Sequence, residues 1–423
     1  MEFLKFYLEG AFSFAAAWWW LGAPPYLYAI MKKFWTYDIS YRYYRSDKFV
    51  LLKINVPREE ERSPQLMENV LHGLWTVYGN IKTFMEVYSW GYMPDYMSLE
   101  IAGVEGKVYF TVRVFKLYTE QFKAHIYAQY PDAEIEVMEE DYVKLVPTDI
   151  PNDEWDLWGT QWTVQKPDVY PIRTYFEFED KMSGTMVDPV AAFMEVLGKL
   201  GPGEHIWYHL ILEPVPNDVW EEEFRNEVEV ILDRGKGKKR FDLKKKLADD
   251  LKTFPAQTIS AMFKYYEIEA KKEEEKTSPL LRLSPGEQES IKAMERSISK
   301  RGFRAQYSVI YIARKDAYRG HNIMSMMGAI NQFNTVDLNG FAIYKPYMTS
   351  THSWFSKRRL NYKKRRLLRI MRPRKWSGKQ NILNTEEIAT LWHFPDISVK
   401  APQTPRVAAK KASAPSNLPI GTT

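Results

Sequence analysis

At 423 residues the chain has room for two or three domains, and 45% hydrophobic content with 15% aromatic residues suffices to build packed cores. It has no cysteine, which excludes disulfides, thiolate metal sites and cysteine nucleophiles together, and agrees with a reducing compartment. The formal net charge of +5 is modest, but twelve Lys or Arg and no acid fall between Lys357 and Lys379, leaving the remainder acidic to neutral.

The only long uncharged run, Gly10 to Met31, reads GAFSFAAAWWWLGAPPYLYAIM and is stopped by Lys32 and Lys33. As a helix it would span about 33 Å, against a hydrocarbon core of about 30 Å. Trp18, Trp19, Trp20, Tyr26, Tyr28 and Trp35 are the predicted membrane-interface side chains, because each ring combines an apolar body with a hydrogen-bonding tip. Pro24-Pro25 interrupts a simple helix. A helix ending at Ala23 must start near Phe3, where Lys5 and Glu9 sit four apart and can pair. A spanning helix within residues 1–35 is the reading adopted; an interfacial or re-entrant segment and a buried core helix are its alternatives. Glu2 and the lack of a clean small-residue site argue against a cleaved signal peptide. Lys32, Lys33, Arg42, Arg45 and Lys48 follow, against the two acids Asp38 and Asp47, so the positive-inside rule puts the anchor in the cell membrane and the bulk of the chain in the cytoplasm.

Residues 36–150 read as a first α+β unit. Val50, Leu52, Ile54 and Val56 alternate as in a half-buried strand. Ser63-Pro64 then opens a helix carrying Leu66, Met67, Val70, Leu71, Leu74, Trp75 and Tyr78. Met97–Ile101 and Val108–Val114 form strands around the Gly103–Gly106 turn; Phe122, Ile126 and Tyr130 mark a helix closed by Pro131; Ala133, Ile135 and Val137 give a fourth strand. The order β-α-β-β-α-β is the split βαβ, or ferredoxin-like, pattern.

Residues 151–350 read as a second such unit. Ile172–Glu179 is its first predicted strand, Asp188-Pro189 caps a helix through Leu200, and Ile206–Leu212 is the next strand. Phe303–Ala313 is strand-like, Ala317–Phe333 helical and Gly340–Tyr344 a short strand. The repeated order points to a duplicated unit. A helical insertion over 217–300 interrupts it, with helices predicted at 219–233 and 242–266, a charge run at 271–276, and a last helix opened by the capping box Ser284–Glu287. Its charges suit a solvated face or a partner-docking surface. A basic region, 351–395, and a Pro, Ala, Lys and Ser-rich flexible tail, 396–423, complete the chain. The fold class is therefore α+β: an N-terminal membrane helix followed by two ferredoxin-like units, the second with a long helical insertion.

The residues offer no catalytic constellation. Gly235-Lys236-Gly237-Lys238 lacks phosphate-loop spacing, and Ser377-Gly378-Lys379-Gln380 lacks the hydroxyl that would hold Mg²⁺. His205 and His209 lie on one strand face about 13 Å apart, too far for one ion. No H-E-x-x-H or G-x-S-x-G occurs. No catalytic, cofactor-binding or metal-binding residue is assigned. The remaining candidate is an anionic-partner patch: Lys357, Arg358, Arg359, Lys363, Lys364, Arg365, Arg366, Arg369, Arg372, Arg374 and Lys375, interleaved with Trp354, Phe355, Tyr362 and Trp376. Such a stretch suits lipid headgroups or a plain solvated face, an acidic protein surface, or nucleic acid.

Several stretches carry a resemblance. They are Leu52-Lys53-Ile54-Asn55-Val56-Pro57 with Ser63-Pro64-x-x-Met67-Glu68, Tyr127-Ala128-Gln129-Tyr130-Pro131-Asp132-Ala133-Glu134-Ile135, and Pro171-Ile172-Arg173-Thr174-Tyr175-x-x-Phe178-Glu179. Ser284-Pro285-Gly286-Glu287, Gln332-Phe333-Asn334-Thr335 and the run from Leu383 to Pro395, LNTEEIATLWHFP, complete the set. In this order they resemble the N-terminal region of bacterial conjugation and type IV secretion-like ATPases, over most of residues 35–420. In those relatives a membrane-proximal α+β region precedes a motor of the HerA/FtsK type. This sequence ends about where that motor would begin, so no nucleotide-binding residue carries over. The resemblance implies a membrane-anchored, non-catalytic scaffold or adaptor that docks a separate P-loop motor ATPase or other secretion-system subunits, and leaves room for a homo-oligomer. A nucleic-acid-binding module using Lys357–Lys379 is the alternative; an enzyme and an inactive remnant of a motor are the other rivals.

Overall fold

A computed structural model describes residues 13, 23–36, 38–39, 48–56, 63–76, 85, 96–178, 187–216, 221–231, 283–350 and 356–396. Its contacts divide the chain into two compact units, Met1–Phe49 with Tyr78–Asp95, and Val50–Val77 with Tyr96–Thr423. In the first, residues 23–36 are helical. Pro24-Pro25 lies within these helical residues. Among the described residues no helix is long and apolar enough to cross a membrane. Most of the uncharged run, including Trp18, Trp19 and Trp20, lies outside them.

The second unit is a mixed α+β body built on one nine-stranded antiparallel sheet. Its strands are β1 (Phe49–Asn55), β2 (Met97–Val104), β3 (Lys107–Phe115), β4 (Glu134–Val137), β5 (Trp155–Val164), β6 (Glu204–Pro214), β7 (Gly302–Arg314), β8 (Phe341–Ile343) and β9 (Asn381–Asn384). Its helices are α1 (Gln65–Trp75), α2 (Thr119–Gln129), α3 (Ala191–Gly198), α4 (Pro285–Ile298), α5 (Gly320–Asn331), α6 (Ser356–Met371) and α7 (Thr385–Leu391). The strand order is β4-β1-β3-β2-β6-β7-β5-β8, with β9 alongside the start of β7. Each half thus lays its strands as fourth, first, third, second, and the halves meet where β2 pairs with β6 from Met97↔Leu212 to Val104↔His205. Joining at the second strands leaves neither as an exposed ladder edge.

The first half follows the alternation of its sequence. In the second, the strand expected at 172–179 is absent: residues 171–174 are irregular and Tyr175–Phe178 form a short 3₁₀ turn. The segment's backbone donors are satisfied without a ladder, Arg173 N–H by the Phe333 carbonyl at 3.0 Å and two others by side chains. Ile172 N–H donates to Glu387 Oε1 at 2.8 Å and Tyr175 N–H to Thr390 Oγ1 at 3.0 Å. The strand is β5, whose Asp156, Gly159 and Gln161 hide the apolar alternation that would mark it. Helix α3 begins at Ala191, with Asp188 Oδ1 accepting from Val190 N–H at 2.7 Å. The box at Ser284 and Glu287 caps α4. Of the insertion, residues 221–231 are described and helical; the helix expected at 242–266 and the charge run lie outside the described residues.

On one sheet face α6 and the turn at Tyr142–Leu145 share a buried cluster with Ala102, Trp207 and Ile310; on the other, Phe193 of α3 and Leu391 of α7 lie with Leu99, Leu210 and Tyr307. Every residue of α7 is buried. Its polar side chains are spent on structure: Glu386 meets Lys300 at 3.1 Å and Arg296 at 3.2 Å, and His393, just beyond, reaches Asp188 at 2.9 Å. Burial lifts the Glu387 carboxyl to about 8, overriding backbone N–H donors at Asn384 and Ile172 that favour the ionised form. The folded protein therefore holds a proton here that the unfolded chain releases around the ordinary 4.5. This contribution to stability is full below about 4.5 and is lost as pH rises through about 8. Thermal unfolding from about pH 5 to about pH 8 should show the parent losing stability relative to Glu387→Gln, which has no proton to lose; parallel curves would refute this.

Candidate functional site

The basic stretch folds into α6 and the strap that follows it. The helix exists because Leu360, Lys364, Leu367, Leu368 and Met371 recur at helical spacing and turn one stripe inward. That stripe lies on β5, and Gly159 allows the approach: a Cβ there would stand 2.7 Å from Leu367 Cδ2 and 2.7 Å from the Val309 carbonyl oxygen. Lys364 is buried and paired with Asp156 at 2.6 Å. Lys363 donates to the Ser350 carbonyl at 2.9 Å. Arg366 donates to Tyr347 Oη at 2.8 Å and lies over that ring, 4.4 Å from its centroid.

Beyond the helix the chain reverses at Pro373, with Arg374 in the left-handed region at φ 54°. This turn sends Arg374 beneath the strap, where it is 2% exposed. Its Nε and Nη2 donate to the two oxygens of Glu100 at 2.9 and 3.0 Å, a bidentate pair, while Nη1 and Nη2 reach Asp141. Tyr142 Oη stands 2.5 Å from Glu100 Oε2 and 2.6 Å from His209 Nε2. Burial alone would raise the Glu100 carboxyl, but the Arg374 charge beside it outweighs burial and holds it at about 2. His209 is pushed down to about 4 by burial, against the pull of Glu100. Register places Thr111, Glu100, His209, Ser308 and Gln161 side by side across β3, β2, β6, β7 and β5. This buried polar row, clamped by Arg374, ties the end of α6 to the middle of the sheet.

The structure thus sorts the sequence patch in two. Lys364 and Arg374 are internal and Lys363 and Arg372 are half-buried against neighbouring groups; Lys357, Arg358, Arg359, Arg365, Arg366, Arg369 and Lys375 are exposed, Arg366 while also held by Tyr347. Arg358, Tyr362, Arg365 and Arg369 stand at i, i+4, i+7 and i+11, one stripe about 16 Å long on the outward face. Tyr362 is 67% exposed in its middle. Trp354 and Phe355 lie outside the described residues, and Trp376 packs edge-on against Tyr96 at 6.0 Å. In the N-terminal unit, Tyr26, Tyr28 and Trp35 are exposed.

One part of this surface escaped the sequence. Arg372 donates to the carbonyls of Val143 and Val146 at 2.7 and 2.8 Å. This fixes the turn carrying Lys144 and Leu145 against the end of α6, and both side chains are exposed. A leucine in Val143-Lys144-Leu145-Val146 reads as core; only the turn geometry turns it out.

Elsewhere, titratable groups are engaged in packing. His205 and His209 share a face of β6, His205 lying 5.8 Å from the Trp155 ring. Glu68 accepts from Lys300 and from Tyr175 at 2.8 Å, and although burial opposes it, hydrogen bonds from His72, Lys300 and Tyr175 hold it at about 2. Among the described residues no group of three His, Asp or Glu is placed to hold a metal ion.

A family profile described as a domain of unknown function, DUF8128, matches residues 50–406. A search of curated proteins found no match.

Proposed function

Starting from a chain that belongs to the DUF8128 family, we propose that it is a membrane-anchored, non-catalytic scaffold or adaptor of a conjugation or type IV secretion-like system, docking a separate motor ATPase. In this reading its two halves are ferredoxin-like units fused edge to edge, and its bulk faces the cytoplasm. The observation that carries the reading is the outward cation face of α6, fixed to a sheet whose own charges are paired inside. A cation face held on a packed sheet suits docking better than turnover. The ordered motifs shared with secretion ATPases and the uncharged N-terminal run support the same reading.

Affinity capture of the tagged full chain from solubilised membranes tests it. The expected result is co-purification of a P-loop ATPase whose hydrolysis rate responds to the added chain. ATP hydrolysis by the pure chain, or capture without any ATPase, overturns it. A nucleic-acid-binding module is the second reading, favoured by one observation: Tyr362 stands exposed among guanidinium groups, as a base-stacking ring would. Salt-sensitive duplex binding abolished by charge reversal along α6 would establish it.

A further inference from the structure

We propose that the outer face of α6, with the Lys144–Leu145 turn, binds the phosphate headgroups of an anionic lipid bilayer. The inference deepens the membrane-scaffold reading and rests on its placing the chain at a membrane.

The first argument is charge. Arg358, Arg365 and Arg369 form one straight row on a helix that presents no acid, and Lys357, Arg359 and Lys375 are exposed on the same basic stretch. Such a row meets a plane of phosphates along its length, each cation near the surface contributing independently. Of the acids leading into the adjoining turn, Asp141 is neutralised by Arg374, while Glu139 and Glu140 are exposed, so the cation face is the helix row and Lys144 rather than the whole turn.

The second argument is apolar. Leu145 is 52% exposed beside Lys144, on a turn that Arg372 locks to the C-terminal end of α6. An outward leucine flanked by lysine and arginine fits the boundary between headgroups and acyl chains, where an apolar tip enters and cations stay above. Tyr362, midway along the row, has the amphipathic ring that favours the same depth. A polyphosphate backbone would use the arginines and the tyrosine, but Leu145 would gain nothing from it. The combination therefore favours a bilayer over nucleic acid.

The test uses the full chain and vesicles of phosphatidylcholine with and without phosphatidylglycerol, in a sedimentation assay. The neutral vesicles report whatever the N-terminal run contributes, and the difference reports this surface. Anionic lipid should strengthen binding, and added salt should reverse that gain. The triple change Arg358→Gln, Arg365→Gln and Arg369→Gln should weaken binding to anionic vesicles by about a hundredfold, at about fivefold per arginine, and leave neutral vesicles unaffected. The single change Arg365→Gln, with about a fivefold effect, keeps the test informative if the triple variant folds poorly. Leu145→Ser should weaken vesicle binding and leave any binding to a DNA duplex unchanged.

Equal binding of parent and triple variant to anionic vesicles overturns the proposal. So does a duplex that binds through the three arginines while Leu145→Ser leaves vesicle binding intact, since the surface then serves nucleic acid. Failure to capture an ATPase, with the vesicle results as expected, would remove the adaptor reading alone.

Discussion

Replacing Arg374 by Met is expected to destabilise the second unit by about 3–5 kcal/mol at neutral pH, because it leaves buried carboxylates without their cation. Glu100 is fully buried and keeps its charge through the bidentate contact to Arg374; Asp141 shares the same guanidinium. In the parent, Glu100 titrates near 2 when folded, so its contribution is present above the ordinary 4.5 and fades as pH falls toward 2. In the variant the sign reverses. Without the guanidinium, burial raises the carboxyl, and mild acid recovers part of the lost stability by protonating it. Denaturant unfolding followed by tryptophan fluorescence at two pH values would show the deficit shrinking in acid. Adding Glu100→Gln to Arg374→Met should also recover stability, because it removes the stranded charge. Arg374→Lys keeps the charge but not the fork, and should recover only part. A deficit below about 1 kcal/mol would mean that the buried pair does not hold α6 to the sheet.

Trp392→Ala is expected to cost a similar amount, about 3–5 kcal/mol, by emptying a large space in the other layer. Trp392 is 2% exposed and follows α7 directly. Its ring meets Phe110 at 6.0 Å and Phe394 at 5.3 Å edge-on, and its Nε1–H donates to the Glu100 carbonyl at 3.1 Å. Trp392→Phe keeps most of the packing and loses the hydrogen bond, while the Glu100 carbonyl stays within the β3–β2–β6 ladder, so it should cost only about 1 kcal/mol. Hydrogen exchange gives the second readout. The alanine variant should speed exchange of α7 amides ahead of those in β2 and β6, since Trp392 fastens the C-terminal arm to the sheet. Uniform acceleration would instead mean that the arm and the sheet open as one unit.

Together these residues explain why much that looked chemical in the sequence is architectural. The run LNTEEIATLWHFP contains two acids, two threonines and a histidine, a composition that invites a search for an active site. In the fold Glu387 caps α7 and receives Ile172 N–H, Glu386 takes Lys300 and Arg296, Thr390 receives Tyr175 N–H, and His393 meets Asp188. Sequence spacing did reveal the box at Ser284, because capping is local and spans a single turn. It missed the side-chain satisfaction of residues 171–175, whose partners stand more than 200 positions away. Strand β5 was missed for a related reason. Gln161 enters a polar row completed by four other strands, and Gly159 makes room for a helix that follows two hundred residues later. Neither need is visible from within ten residues of sequence.

The basic stretch shows the same division. Composition alone fixed that a dense, acid-free cation cluster exists, and helical period fixed that one stripe of it is apolar, since both are properties of neighbouring residues. Which cations face outward was decided by tertiary structure. Lys364 and Arg374 turn inward because Asp156, Glu100 and Asp141 await them there, and Leu145 turns outward because Arg372 holds its turn. Alternation and helical period report on contacts within a few residues. Charge pairing across the sheet depends on which strands become neighbours, and only the folded chain settles that.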